Sequence, residues 1–136
     1  MLSLLEAARN HSHLTVQLKN CGVASLLQNE PNIAPPLFSL QSVSLMGSQL
    51  GSHAASLISN CLATNPRINV LDLDDNLLND EDAALIANSL KTNTNLVRLM
   101  LCGNNFTNVG IKTLCKSVYD DQSLNAIKDS NHTCEL

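Results

Sequence analysis

The acidic run Asp72-Leu73-Asp74-Asp75-Asn76 is the densest set of chemistry-bearing side chains in this chain. It begins as a calcium-binding loop would, with oxygen donors at alternate positions. Such a loop also needs Gly at its sixth position and a bidentate Glu at its twelfth, to turn the chain and close the coordination shell. Leu77 and Ala83 occupy those places, so the run is not read as a calcium site. Two further groups could hold zinc: His11-x-His13 with Cys21 nearby, and His132-x-Cys134. A structural zinc needs four converging ligands, and these pairs lie at opposite ends of the chain, so they are read as polar terminal residues. A Cys–His nucleophile would need a thiol within hydrogen-bond reach of an imidazole. Cys102 has no His near it in sequence, Cys115 is expected to be buried, and His53 is expected in a turn on the helix side of its segment. Neither a phosphate-cradling glycine loop nor a Ser-His-Asp order occurs, and five glycines are few for a cradle. Asp80, Glu81 and Asp82 read as the charge cluster that a helix N-terminus favours. No enzyme is indicated, and no cofactor or metal is expected.

The elements that carry these residues repeat at a constant spacing. Leu40, Val43, Leu45 and Leu50 recur as Ile68, Leu71, Leu73 and Leu78, and again as Leu96, Leu99, Leu101 and Phe106. Leu124 opens a further copy. Behind that pattern runs a second one: Ala55, Ile58, Ser59 and Leu62, then Ala83, Ile86, Ala87 and Leu90, then Ile111, Leu114, Cys115 and Val118. Each unit therefore reads as a short alternating strand followed by a helix with one apolar face. Such a unit cannot bury its apolar side alone, so neighbours must stack into a solenoid with a parallel sheet on one face and helices on the other. Within the unit from Ile68, the residues Ile68, Leu71 and Leu73 point inward while Asp72 and Asp74 point outward. Asn76 ends the strand, where its amide can satisfy backbone groups left unpaired by the bend. Asn104 repeats that place, and Ser48 stands there one unit earlier. Asp80 is expected to cap the following helix.

The segments Leu71-Asp72-Leu73-Asp74-Asp75-Asn76-Leu77-Leu78 and Leu99-Met100-Leu101-Cys102-Gly103-Asn104-Asn105-Phe106 resemble the leucine-rich repeat consensus L-x-L-x-x-N-x-L. The 28-residue period with a full helix per unit resembles the ribonuclease-inhibitor-like subfamily. That resemblance implies an α/β horseshoe segment, with parallel strands on a concave face and helices on a convex one. It divides the chain into the helix end of a truncated repeat (1–12), an irregular repeat (13–39), three regular repeats (40–67, 68–95 and 96–123) and a degraded partial repeat (124–136). In the irregular repeat, Leu14, Val16 and Leu18 form the strand and Cys21 stands in the Asn position. Its strand begins near His13, one residue short of a full period before Leu40. Pro31, Pro35 and Pro36 are expected to leave its convex side extended or with a single turn. Asp129 replaces an apolar strand residue in the last copy. Neither end shows a convincing polar cap, so the chain reads as a piece of a longer array, with self-association through uncapped ends as a further expectation.

The face left open by the strands would present Thr15, Gln17 and Lys19; Ser42, Ser44 and Met46; Val70, Asp72 and Asp74; Arg98, Met100 and Cys102; and Ala126 and Lys128. From this row the expected partner-binding residues are Ser44, Met46, Asp72, Asp74, Asp75, Arg98, Met100 and Cys102. Arg98 is placed to neutralise the neighbouring carboxylates. An acidic centre beside an apolar pair suits a protein partner with a basic and apolar patch. The resemblance leaves two other functions open: a regulator of a small GTPase, as in Ran-type activators, and the sensor part of a nucleotide-binding immune-type receptor.

Composition agrees. The chain has 136 residues, a net charge of −4 and 2% aromatic residues, with a sequence pI near 5.4. An acidic balance argues against nucleic-acid binding. No apolar run is long enough to span a membrane, and the first residues lack the pattern of a signal peptide. Five cysteines without a CxxC pair point to a reduced protein of the cytoplasm or nucleus. Three N-x-S/T sequons, at Asn10, Asn105 and Asn131, pull the other way.

Overall fold

A computed structural model of the chain describes residues 15–20, 22–29, 31–119 and 136. Those residues form an α/β structure built on a four-stranded, all-parallel sheet whose spatial order follows the sequence. The strands are β1 (Thr15–Gln17), β2 (Ser42–Ser44), β3 (Val70–Asp72) and β4 (Arg98–Met100). Among the described residues, five helices lie between and after them: α1 (Val23–Asn29), α2 (Ala34–Phe38), α3 (Ser52–Ala63), α4 (Asp80–Leu90) and α5 (Asn108–Val118). No helix of the described residues is long and apolar enough to cross a membrane.

Register follows the repeat. Thr15 pairs with Ser42, Ser42 with Val70 and Val70 with Arg98. The first step is one residue shorter than the two equal steps after it, as the spacing of the apolar rows predicts. Val43, Leu71 and Leu99 are fully buried, because alternation along a strand sends every second side chain to one side. Leu45 and Leu73 continue that row, and the inward residues of α3 and α4 meet it in one continuous core. Backbone pairing runs past the short strands: the amides of Leu45 and Gly47 donate to the carbonyls of Asp72 and Asp74, and those of Leu73 and Asp75 to Met100 and Cys102.

Each strand is then turned by a residue with positive φ: Asn20 (53°), Gly47 (65°), Asp75 (54°) and Gly103 (68°). These four positions are one repeat apart, so the left-handed turn is itself part of the unit. Two of them are Gly, which adopts this conformation without strain. A Cβ on Gly47 would collide with the Asn20 side chain, and one on Gly103 with the Asp75 carboxylate.

Two local expectations are corrected. The residue that caps α4 is Asn79, not Asp80. The Asn79 side chain accepts from the amides of Glu81 and Asp82, while the Asp82 carboxylate accepts from the Asn79 amide, a reciprocal capping box. Asp80 is freed for another role described below. The prolines do not leave the first unit extended. The segment between β1 and β2 holds α1, a single 3-10 turn (Pro31–Ile33) and α2. Pro35 and Pro36 sit in the first turn of α2, where backbone N–H groups have no intrahelical acceptor and a missing one costs nothing.

Candidate functional site

The open side of the sheet is where the sequence places its acidic and apolar side chains, and the structure gathers them there unevenly. Lys19, Arg98, Asp75 and Cys102 are exposed, and Met46, Asp74 and Met100 are half-buried. Ser44 and Asp72 are not available to a partner: they retain 6% and 8% of their surface. The Ser44 hydroxyl donates to Asp72 Oδ2 at 2.6 Å, one strand away. The other carboxylate oxygen of Asp72 accepts the Asp74 amide at 3.1 Å. Short residues on adjacent strands of a parallel sheet sit about 5 Å apart, which lets a hydroxyl and a carboxylate at one register position bond each other. Ser44 and Asp72, both expected as contact residues, are thus bonded to each other across two strands. Removing the hydroxyl would leave a buried carboxylate oxygen without its donor. Ser44→Ala is accordingly expected to lower stability by about 1–2 kcal/mol, read from the midpoint of urea unfolding, and Ser44→Ala/Asp72→Ala to recover part of it.

Asp74 and Asp75 form the accessible part of the site. Asp74 Oδ1 accepts the Cys102 amide at 2.7 Å. Partial burial pushes the Asp74 carboxyl above its usual range; the Cys102 hydrogen bond opposes this, the charges of Asp72 and Asp75 add to it, and Lys19 opposes it. The cation whose charge bears on Asp74 is thus Lys19, two strands away in sequence order, a neighbour that the sequence reading did not single out. Asp75 lies in the left-handed turn with its carboxylate over Gly103. Met100 and Cys102, in the adjacent strand and its extension, give this acidic pair an apolar border. Among the described residues no group of three or more His, Cys, Asp or Glu side chains could hold a metal ion.

Other placements differ from expectation. His53 is exposed in the first turn of α3 rather than in a turn before it. Cys115 is exposed, not buried, and Ile111 keeps 49% of its surface. Both belong to the inward row of α5, but among the described residues no helix packs beyond α5. Cys61 is half-buried, and burial raises its thiol above the ordinary value, which keeps it protonated and a poor nucleophile. The positions His11, His13, Cys21, Ala126, Lys128, Asp129, His132 and Cys134 lie outside the described residues.

Asp80 supplies a connection that the sequence reading missed. Its carboxylate accepts the Thr107 hydroxyl, the Thr107 amide at 2.8 Å and the Gly110 amide at 3.1 Å, tying the first turn of α4 to that of α5. The Thr107 hydroxyl and amide hold the Asp80 carboxyl below its usual range, against a smaller cost of leaving water, with the Gly110 amide adding to the effect. A group with a lowered folded pKa stabilises fully above its unfolded value and loses that contribution as the pH falls through the folded one. Asp74, with its raised pKa, does the reverse: its penalty is present at neutral pH and is relieved by acid. In urea unfolding, Asp80→Asn is expected to be less stable than wild type at neutral pH, with the gap closing below about pH 4. Asp74→Asn is expected to be slightly more stable at neutral pH, with a gain that fades on acidification.

A second polar column, at the far ends of the strands, was also missed. The Asn93 side chain donates to the Leu62 carbonyl and accepts the amides of Asn95 and Leu96. Asn65 accepts the amides of Thr94 and Asn95, and Asn95 donates to the carbonyls of Asn65 and Pro66. Asn65 and Asn93 stand one full period apart, so the signal was present in the spacing. Compared with family models and with curated proteins, the sequence matches none.

Proposed function

We propose that this chain is a segment of a leucine-rich-repeat solenoid of the ribonuclease-inhibitor-like kind, and that it binds a protein partner through its open strand face without performing catalysis. The observation that carries the reading is the register itself. Strand positions one repeat apart pair along a parallel sheet, and the Asn at the end of the unit bonds across to its neighbour. That arrangement favours a rigid open face whose outward residues vary without disturbing the core. The contact set on this reading is Met46, Asp74, Asp75, Arg98, Met100 and Cys102, with Ser44 and Asp72 holding the strands beneath it. Such a face suits a segment that carries Lys or Arg beside an apolar side chain, because the charges of Asp74 and Asp75 lie at the edge of Met100 and Cys102.

The test compares the wild-type chain, immobilised against native cell lysate, with Asp74→Asn/Asp75→Asn and Met100→Glu. The Asn pair removes both charges while retaining an acceptor for the Cys102 amide and a residue that tolerates positive φ. A protein retained by the wild type and lost by both variants supports the reading. Equal retention by all three moves any binding site off this face and overturns it.

A further inference from the structure

Backbone pairing beyond the short strands brings one more row of residues into register across the open face. The Asn20 amide donates to the Met46 carbonyl, the Gly47 amide to Asp74 and the Asp75 amide to Cys102. Lys19, Met46, Asp74 and Cys102 therefore stand side by side at equivalent places in successive repeats. Lys19 and Cys102 are exposed, and Met46 and Asp74 are half-buried. On one side of this row Ser44 and Asp72 are buried and bonded to each other. On the other side lies the left-handed turn, where Gly47 and Gly103 carry no side chain. The accessible line thus runs across the strands and is about one residue wide. Along it come a cation, an apolar side chain, and then the carboxylates of Asp74 and Asp75. With neighbouring strands about 4.8 Å apart, Lys19 and Asp74 stand about 10 Å from each other. That is near enough for the Lys19 charge to be felt at the Asp74 carboxyl.

We propose that this line takes a peptide segment in the polyproline II conformation with an acidic residue three positions from a basic one, the acid on Lys19 and the base on Asp74 and Asp75. The proposal rests on the partner-binding reading of the open face and adds Lys19 to it as a binding residue. A segment with basic residues alone would set like charge against Lys19, which favours a partner of mixed charge. The spacing selects the conformation. Polyproline II has three residues per turn and rises about 3.1 Å per residue, so side chains i and i+3 project on one side about 9 Å apart. That matches the two-strand separation of Lys19 and Asp74. In a β-strand, side chains i and i+3 point to opposite sides. A helix, about 10–12 Å across, is wider than the line. Because the segment crosses the strands, no sheet edge pairs with its backbone, and polyproline II needs no such pairing. The two residues between its charges lie over Met46, where an apolar side chain is suited.

Panning a displayed library of random peptides on the immobilised 136-residue chain reads the preference, and the enriched peptides are then titrated against variants. They are expected to share an acidic residue three positions from a basic one and to lose binding to Asp74→Asn/Asp75→Asn. Lys19→Glu, at an exposed position, is expected to weaken them by about tenfold or more; circular dichroism of each variant checks folding. Replacing the acidic residue of such a peptide by Lys is expected to restore binding to Lys19→Glu, which a merely structural role of Lys19 would not do. Peptides that need Asp74 and Asp75 but are indifferent to Lys19→Glu overturn this inference and leave the partner-binding reading standing. Peptides whose charges recur at i and i+7, the helical spacing, do the same. Peptides that bind the Asn pair as well as the wild type, or a library with none enriched, overturn the reading and this inference with it.

Discussion

Asn76→Ala is expected to be the most damaging single change to this fold. The side chain of Asn76 is 3% exposed and makes five hydrogen bonds, three of them to the preceding unit. Its Oδ1 accepts the amides of Ser48 and Leu50, each at 3.0 Å. Its Nδ2 donates to the carbonyls of Leu45, Leu73 and Asp74 at 2.9–3.1 Å. The methyl group left behind offers nothing to the Ser48 and Leu50 amides or to the Leu45 carbonyl, while the Leu73 and Asp74 carbonyls keep the Asn104 side chain and the Gly47 amide as donors. With a net worth near 1 kcal/mol for each bond, the loss comes to about 3–5 kcal/mol. That is comparable with the whole stability of a small domain. Asn104→Ala provides the internal comparison. Asn104 makes the same kind of bonds, to the Leu78 amide and to the carbonyls of Leu73, Leu101 and Cys102, but it is only half-buried. Water can reach its partners, and the expected loss is smaller, about 1–2 kcal/mol. Urea unfolding followed by circular dichroism ranks the two. An Asn104→Ala variant that loses as much as Asn76→Ala would show that burial is not what makes the bend expensive to break.

The second large effect is expected at Gly110, in the first turn of α5. A helical Gly replaced by Ala ordinarily gains about 1 kcal/mol of helix propensity. Here the packing opposes that gain. An added Cβ would collide with Asp80 Oδ1 and would sit 3.3 Å from both the Asp80 Cα and the Ala83 Cβ. The carboxylate cannot swing aside without releasing the Thr107 hydroxyl, the Thr107 amide and the Gly110 amide that it accepts. The Cα cannot move without α4. Gly110→Ala is therefore expected to be destabilising despite its propensity. Gly110→Val adds two methyl groups to a contact with no room and is expected to cost about 3 kcal/mol, the upper end for an overpacked site. Thermal unfolding of the two variants, alone and with Asp80→Ala, separates the causes. With the carboxylate gone, the cost of Gly110→Ala should shrink toward the propensity gain. An unchanged cost would place the clash with the α4 backbone alone.

What the amino-acid order determined by itself was the arrangement along the repeat axis. The row Val43, Leu71 and Leu99 is evenly spaced along the chain, and the row Ile58, Ile86 and Leu114 has the same spacing. Because a strand alternates with period 2 and a helix with 3.6, those spacings dictate which side chains face one another. The parallel register, the slip of one residue between β1 and β2, and the role of Asn76 at the bend all follow from that periodicity and from the obligation to satisfy backbone groups. The prolines were misread because a rule about helix interiors was applied to a first turn, where the missing N–H has no bond to lose.

Only the tertiary structure decided how polar atoms are shared between units. Asp72 reads as a solvated carboxylate until β2 brings the Ser44 hydroxyl to it. Asp80 reads as a cap until α5 presents Thr107 and Gly110. Asn79 and Asp82 then take over the capping, a choice among four adjacent polar residues that local spacing leaves open. The fates of Ile111 and Cys115 were also beyond a periodic argument, since they occupy inward positions with no described helix to face. A repeating pattern encodes what a unit offers its neighbours. Whether an oxygen is paired or an apolar face is covered depends on which neighbour arrives within hydrogen-bonding or van der Waals distance, and that is a property of the assembled chain.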